Sequence, residues 1–271
     1  MPSEAVINFI VGVGIGLPLG YLAYRLRYLD LKAAVTSVIF SGLYLMGGIG
    51  IYIASLAFFF SSSLITKFHY SSKQSKGAAE REEGRKASQV IGAGFIAALL
   101  ASLYGVLPVY QERILLSALA VLAASNADTW AAEIGALYRG LPRLITRPWL
   151  KVEPGTSGGV TPLGALGSLL GSILIGVVAL VEAQLGILKI NQACVPLVVV
   201  LGWLGEILDS LVGATLQIKY YCPRCRAITD KAVHSCGEKT HPIGGLRVVT
   251  NEATNVIATG LTGLLAFLIA C

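Results

Sequence analysis

The chain has 271 residues, of which 55% are hydrophobic and 13% are charged, and its mean hydropathy is +0.71. This apolar content exceeds what a soluble core of this length requires, so it excludes soluble and disordered proteins. The formal charge of +6 could indicate nucleic-acid binding. However, the Lys and Arg residues are confined to a few segments between apolar ones, which is typical of membrane topology. We therefore expect an integral membrane protein that contacts membrane lipids and binds no nucleic acid.

Apolar segments predict an all-α fold, a polytopic membrane helix bundle with about eight transmembrane segments in a single membrane-embedded domain over residues 1–271. The segments cover residues 5–24, 31–47, 48–65, 88–106, 114–125, 160–181, 193–216 and 253–270. The second and third share one uninterrupted apolar run, which predicts a tight hairpin near Gly47, Gly48 and Gly50. Since residues 1–4 carry no Lys or Arg, we expect the first segment to be a retained helix rather than a cleaved signal.

The fifth segment is too short to span a bilayer, and it runs into Asn126 and Asp128. We predict that this helix stops or breaks there, where polar residues line a protein-enclosed cavity.

Eight crossings place four loops on one side of the membrane: residues 25–30, 66–87, 126–159 and 217–252. All but two of the 21 Lys and Arg residues lie in or beside these loops. The exceptions are Arg113 and Lys189. The positive-inside rule therefore predicts that the four loops, and with them the active site, are cytoplasmic and that both termini are extracytoplasmic.

Acidic residues beside or inside the apolar segments are the first candidates for chemistry, because intramembrane carboxylates usually serve a metal, a proton or a polar substrate. They are Asp128, Glu133, Glu206, Asp209 and Glu252. Glu206 and Asp209 are three positions apart, which places them on one helical face. Oxygen ligands of this kind suit Mg²⁺. The alternative for Asp128 and the nearby Asn126 is helix capping.

A basic, glycine-rich stretch follows Asp128 along the chain. Cations precede Pro154 and the glycines of 155–159, where backbone N–H groups can approach an anion closely and a helix then begins. The composition predicts a phosphate site, although an ordinary flexible loop before a capped helix stays an alternative. The 66–87 loop is either a solvated connector or a segment that closes over an anionic ligand with Lys67, Lys76, Arg85 and Lys86.

Three motifs together resemble a known membrane family: Ser-Asn-Ala-Asp-Thr-Trp-Ala-Ala-Glu-Ile-Gly at 125–135, Pro-Arg-Leu-Ile-Thr at 142–146 and Pro-Gly-Thr-Ser-Gly-Gly-Val-Thr at 154–161. The family is that of plant phytyl-phosphate kinase and its uncharacterised bacterial, archaeal and animal relatives. It is distantly similar to CTP-dependent dolichol and phytol kinases and to CDP-diacylglycerol synthases. Glu252 stands where this family more often has Asp.

The resemblance implies a Mg²⁺-dependent kinase. It would transfer a phosphoryl group from a nucleoside triphosphate, with CTP as the first candidate, to an isoprenoid lipid phosphate such as phytyl or geranylgeranyl phosphate. Asp128, Asp209 and Glu252 would bind Mg²⁺, and Asn126, Glu133 and Glu206 would assist. The predicted nucleotide- and phosphate-binding residues are Lys67, Arg85, Arg143, Arg147, Lys151, Gly155, Thr156, Ser157, Gly158, Gly159, Asn251 and Asn255. A lipid-alcohol kinase or cytidylyltransferase with the same nucleotide site, and an ion-coupled transporter, remain alternatives.

Residues 217–243 form a further candidate unit, a small cytoplasmic insertion that resembles a zinc knuckle. Cys222 and Cys225 have C-x-x-C spacing, and His234 and Cys236 follow. Three thiolates and one imidazole can hold Zn²⁺ tetrahedrally, with a structural rather than a catalytic role. The alternative is a loop of reduced thiols, as expected in the cytoplasm.

Overall fold

The computed structural model describes residues 2–75, 83–234 and 236–269. Within these ranges, eight apolar helices form a bundle, which confirms the predicted helical membrane class. The apolar helices are α1 (Pro2–Arg25), α2 (Leu31–Met46), α3 (Ile49–Lys67), α5 (Ala87–Val106), α6 (Gln111–Gly135), α7 (Pro162–Gln184), α8 (Val195–Thr215) and α9 (Asn251–Ile269). A short polar helix, α4 (Tyr70–Ser75), lies between α3 and α5. Seven are long and apolar enough to cross a membrane, and α2 is shorter, with 16 residues.

The hairpin between α2 and α3 turns where it was predicted, at Gly47 and Gly48. Gly48 has a φ of +95°, a conformation that residues with a Cβ rarely adopt. The chain can therefore reverse within two residues, and α2 and α3 leave the turn as separate helices.

Small residues allow α1 and α2 to pack closely. A Cβ built at Gly12 would lie 2.7 Å from the Ser41 carbonyl oxygen, and one at Gly16 would lie 2.7 Å from Ser41 Cβ. Gly20 continues the same face one turn later, against Val38. This is the spacing of small residues that brings membrane helices into backbone contact.

Helix α6 corrects the prediction for the fifth segment. It does not stop at Asn126 or Asp128 but continues to Gly135, and it packs against α3, α5, α7, α8 and α9. Because other helices surround it, its polar side chains find protein partners instead of lipid, and a break in the helix is unnecessary. Thus α6 is the central helix of the bundle.

Two small antiparallel sheets, which the sequence patterns did not predict, occupy the loops. The first has the order β2-β1-β3, with β1 (Arg143–Leu144), β2 (Arg147–Lys151) and β3 (Gly159–Val160). The second has the order β5-β4-β6, with β4 (Lys219–Cys222), β5 (Ala227–Thr229) and β6 (His241–Gly244). The loop between β2 and β3 contacts the second sheet, because the Glu153 N–H donates to the Ile228 carbonyl of β5 at 3.2 Å. A single loop layer therefore covers one end of the bundle.

Candidate active site

A cavity of about 520 Å³ opens below this loop layer, where the adjacent ends of α6, α7, α8 and α9 meet. Asp128 of α6 lines it, together with Glu206 and Asp209 of α8. Asn251 at the start of α9 and loop residues 155–161 complete its wall. The cavity thus joins the acids of two helices with the glycine-rich loop, which the sequence had indicated separately.

The acids are close together because α6 and α8 approach through small residues. A Cβ built at Gly205 would lie only 2.5 Å from Ala124 Cβ, so a larger residue would separate the helices. Asp128 interacts electrostatically with Glu206 and with Asp209. Three carboxylates that face one cavity repel one another unless a cation or protons lie between them.

Hydrogen bonds fix two of these carboxylates. Ser168 and Ser210 donate to the two oxygens of Glu206, at 3.1 and 3.0 Å. With its amide nitrogen turned toward the two acceptors around it, Asn255 donates to Asp209 Oδ1 and to the Asn251 carbonyl, both at 3.0 Å. The side-chain atoms that could bind a metal here are all oxygens, the ligands that Mg²⁺ prefers. Asp128 and Asp209 approach the cavity from different helices. These residues therefore fit a Mg²⁺ ion.

Asn126 and Glu133 flank Asp128 on α6 but do not line the cavity. The Asn126 amide accepts from Ser61 and Ser62 at 3.0 Å each, and donates to the Gly171 carbonyl at 2.7 Å. It joins α3, α6 and α7. Its position is therefore that of a structural link between helices, and its predicted role in chemistry stays a prediction.

Glu133 forms a buried ion pair with Lys73 of α4, with 2.6 Å between Oε2 and Nζ. Lys73 is 1% exposed, and it also donates to the carbonyls of Ile65 and Thr66 at 2.8 and 3.0 Å. The pair ties the segment after α3 to the end of α6. If Glu133 assists catalysis as predicted, it does so while its carboxylate is paired with Lys73.

The remaining predicted residues lie in α3, in α9 and in the segment before α5. Glu252 accepts a 3.0 Å hydrogen bond from Ser88 of α5 and does not line the cavity. Arg85 Nη2 donates to Thr66 Oγ1 at 2.9 Å, and the guanidinium interacts electrostatically with Asp128. The Lys67 ammonium lies 5.7 Å from the centre of the Tyr28 ring. Lys76 lies outside the described residues.

The glycine-rich loop is held by specific contacts. Gly158 has a φ of +75°, and a Cβ there would lie 2.7 Å from the Ser210 carbonyl of α8, so only glycine fits. The N–H groups of Thr156, Ser157 and Gly159 already donate within the protein, to Glu153, Asp230 and Thr156 respectively. Among the described residues, the N–H groups of Gly155 and Gly158 have no acceptor, so they can donate to a ligand.

The predicted cations of the loop lie away from the cavity. Arg143, Arg147 and Lys151 are exposed on β1 and β2, and Arg143 donates to the Pro148 carbonyl at 2.7 Å. Arg139 lines the cavity instead, between the end of α6 and β1. Sequence reasoning did not choose Arg139 as a phosphate-binding residue, because it placed the end of this helix near Asn126 instead of at Gly135, four residues before Arg139.

The four predicted zinc ligands come together. One potential ligand atom from each of Cys222, Cys225, His234 and Cys236 lies within 4.8 Å of the others. The Cys222 and Cys236 sulfurs are 3.8 Å apart, which is close to the edge of a tetrahedron with Zn–S bonds of about 2.3 Å. A backbone hydrogen bond at Glu238 lowers the pKa of Cys236 to about 7, which favours its thiolate, whereas the hydrogen bond with Cys236 raises the pKa of Cys225 to about 11. The cluster therefore fits Zn²⁺.

Further contacts connect this cluster to the glycine-rich loop, and sequence reasoning missed them. His234 Nε2 lies 3.4 Å from Glu153 Oε2, and Thr156 Oγ1 donates to the Ile228 carbonyl at 3.3 Å. Asp230 accepts the Ser157 N–H at 2.7 Å and pairs with Lys219 at 2.6 Å. The partners are far apart in sequence, so no local pattern could reveal them.

The bundle and its acid-lined cavity define a polytopic membrane protein with a polar site at one end of its helices. The chain belongs to the integral membrane protein family DUF92, whose model matches residues 14–263. It is 26% identical to Protein PGR of Arabidopsis thaliana, over 98% of this chain and 97% of the relative. It is 28% identical to the uncharacterized membrane protein MJ0933 of Methanocaldococcus jannaschii, over 99% and 97%.

The uncharacterized membrane protein sll0875 of Synechocystis is 30% identical, over 62% of this chain and 64% of the relative. These plant, archaeal and cyanobacterial relatives confirm the family resemblance noted from the motifs. No solved structure matches the chain.

Proposed function

We propose that this protein is a Mg²⁺-dependent polyprenyl-phosphate kinase. It transfers the γ-phosphoryl group of a nucleoside triphosphate, with CTP as the first candidate, to a monophosphate such as phytyl or geranylgeranyl phosphate. The observation that carries the proposal is the cavity in which Asp128, Glu206 and Asp209 meet the glycine-rich loop at one end of the helix bundle. A membrane-edge site can receive a donor from water and an acceptor from lipid.

The chemistry requires little beyond positioning and neutralisation of charge. A phosphate oxygen of the acceptor forms a new bond to the γ-phosphorus, the bond from that phosphorus to the β–γ bridging oxygen breaks, and the nucleoside diphosphate leaves. The acceptor is already an anion, so no strong general base is needed. Bound Mg²⁺ would neutralise the charge that develops on the phosphoryl oxygens.

The residues divide into two groups in this proposal. Asp128 and Asp209 line the cavity and hold the metal, and Glu206 supports them. Glu252 stays a further predicted ligand, although it lies outside the cavity wall and accepts from Ser88. Donor phosphates lie against the N–H groups of Gly155 and Gly158 and against Arg139. We propose that this face is cytoplasmic, because the basic loops lie on it.

We further propose that the Cys/His cluster holds a structural Zn²⁺. All four ligand positions would come from the protein, so no open position remains for chemistry. Its contacts with Glu153 and Thr156 support the role of a brace for the glycine-rich loop.

The test is product analysis with purified protein, Mg²⁺ and each of CTP, ATP, GTP and UTP. Geranylgeranyl and phytyl monophosphates are compared with the free alcohols. The expected product is the prenyl diphosphate from the monophosphate. Phosphorylation of the alcohol alone would favour a lipid-alcohol kinase, and a CDP-lipid would favour a cytidylyltransferase. Absence of every product, together with cation-driven flux in proteoliposomes, would favour the transporter.

A further inference from the structure

A second cavity, of about 110 Å³, lies within the bundle among α1, α2, α3 and α5. Its wall is mostly hydrocarbon and aromatic, with Leu19, Phe40, Leu56, Phe58, Phe59 and Val90 as its larger side chains. Along α3 it extends from Tyr52 to Ser63, which at 1.5 Å per residue is roughly 16 Å. This is about half of the 30 Å hydrocarbon thickness of a bilayer.

Most hydroxyl groups in this wall are paired with the protein. Ser41 donates to the Gly12 carbonyl at 2.7 Å, Tyr44 to the Gly94 carbonyl at 3.0 Å, and Ser55 to the Tyr52 carbonyl at 2.7 Å. A hydrocarbon chain in the cavity therefore leaves none of these three hydroxyls without a partner, and its entry carries no polar desolvation penalty from them.

One end of this cavity is cationic. Arg85 lines it, and Arg85 also lines a small adjoining cavity with Lys67 and Arg27. The backbone holds Arg85 firmly, because its N–H donates to the Tyr28 carbonyl and its carbonyl accepts from the Asp30 N–H, both at 3.0 Å. The cavity thus has an apolar body and a positively charged end, which is complementary to a lipid with an anionic head group.

This cationic end lies beside the acid cluster. Arg85 interacts electrostatically with Asp128. A small third cavity is lined by Asp128, Asp209 and Ala93, and Ala93 also lines the apolar cavity. An anionic head group at Arg85 would therefore be next to the carboxylates at which the donor phosphates are proposed to bind.

We propose that this apolar cavity binds the first isoprene units of the acceptor, a prenyl monophosphate, whose phosphate lies at Arg85 and Lys67. This inference rests on the proposed function and deepens it, because it assigns a site to the second substrate. The cavity is smaller than a complete prenyl chain, so the rest of the chain extends into the bilayer. Donor and acceptor thus enter from opposite sides of Asp128.

Binding is tested without nucleotide, so that the result is independent of the kinase reaction. The probe is geranylgeranyl monophosphate with a diazirine at the end of its first isoprene unit. We expect it to cross-link to α1, α2, α3 or α5 of the wild-type protein. Ser37→Phe fills the cavity from α2 and should weaken binding about tenfold or more, equivalent to at least about 1.4 kcal/mol. The matched control is Ile39→Phe, because Ile39 is on the same helix, is 48% exposed and does not line the cavity.

Arg85→Gln tests the contribution of the phosphate head group to binding separately from that of the hydrocarbon tail. It should weaken binding of the monophosphate and leave binding of geranylgeraniol unchanged, because only the monophosphate carries the charge that Arg85 neutralises. Cross-links confined to α7, α8 or α9 would overturn the proposal, even if the protein is a kinase. So would equal competition by phosphatidic acid, which would indicate a general site for anionic lipids. Because the cross-linking uses wild-type protein, this test does not depend on the folding of any variant.

Discussion

Lys219 and Asp230 form a buried ion pair, with 2.6 Å between Nζ and Oδ1, that joins the Cys/His unit to the glycine-rich loop. The same lysine donates to the Ser157 carbonyl at 2.8 Å, and the same aspartate accepts the Ser157 N–H at 2.7 Å. Burial raises the pKa of Asp230 and lowers that of Lys219. Both shifts reflect the cost of removing charges from water. The pair therefore holds the glycine-rich loop at Ser157, and the removal of its two charges from water opposes this stabilisation.

Asp230→Leu should disorder the glycine-rich loop, because it removes the acceptor of the Ser157 N–H and leaves Lys219 buried without its anion. The expected result is faster amide hydrogen exchange in residues 153–159 and a higher KM for the nucleotide. The measurements are exchange detected by mass spectrometry and steady-state kinetics. The double variant with Lys219→Met should recover thermal stability but not the low KM. Recovery of both would contradict the role of Asp230 as a loop anchor.

Asp128→Asn should abolish turnover while the protein remains folded. Asn keeps the shape and hydrogen-bonding capacity of Asp but lacks the charge that holds Mg²⁺ and neutralises the transition state. We expect the rate to fall on the order of 10²-fold or more, measured with prenyl monophosphate at saturating Mg²⁺. Glu112→Gln, on the same helix near its other end, is the matched control. Near-normal turnover of Asp128→Asn would mean that Asp128 has only a structural role.

Lys73→Met should destabilise the protein by about 3–5 kcal/mol, because it leaves Glu133 buried without its cation. The measurement is the unfolding midpoint in detergent. The double variant Lys73→Met with Glu133→Leu should recover most of this loss, since an apolar pair can replace a buried ion pair.

The same double variant tests the predicted catalytic role of Glu133. If Glu133 only ties α4 to α6, the stable double variant should keep its activity. If Glu133 assists the chemistry, the variant should be stable and inactive. The ratio of kcat in the double variant to kcat in the wild type therefore decides between the two roles.

Cys222→Ser combined with Cys225→Ser should remove a bound zinc ion. Protein purified without chelator should contain about one Zn²⁺ per chain, measured by mass spectrometry of the metal. The double substitution should lower metal content and thermal stability together, and activity should fall only secondarily through the glycine-rich loop. Arg224→Ala, an exposed change within the same turn, is the control. Fully active wild-type protein that contains no zinc would rule out the site.

Local patterns predicted much of this fold and part of the candidate site. The eight apolar segments and the turn at Gly47 and Gly48 follow from hydropathy and glycine alone. Glu206 and Asp209 could be placed on one face because their spacing is itself the helical repeat. In each of these cases, the information lies within a few residues of the chain.

Other features depend on contacts between distant residues. Lys73 lies in a polar stretch that resembled a solvated connector, yet its partner Glu133 is on another helix. The end of α6 was misplaced because Asn126 looked like a stop signal, whereas Ser61 and Gly171 satisfy its amide. Arg139 and Arg143 belong to the same basic stretch of sequence, so either could have been predicted to bind phosphate. Only the structure shows that Arg139 lines the cavity and that Arg143 lies in β1.

The central position of α6 has a consequence for how the protein is made. During synthesis, α6 leaves the ribosome before α8 and α9 have been made, although these helices form much of its surroundings. It is also the least hydrophobic of the seven long spans, and it carries Asn126, Asp128 and Glu133. A helix of this kind gains little by moving into lipid alone. Its release from the insertion machinery should therefore wait for the C-terminal helices, so that membrane integration of the bundle is completed late and cooperatively.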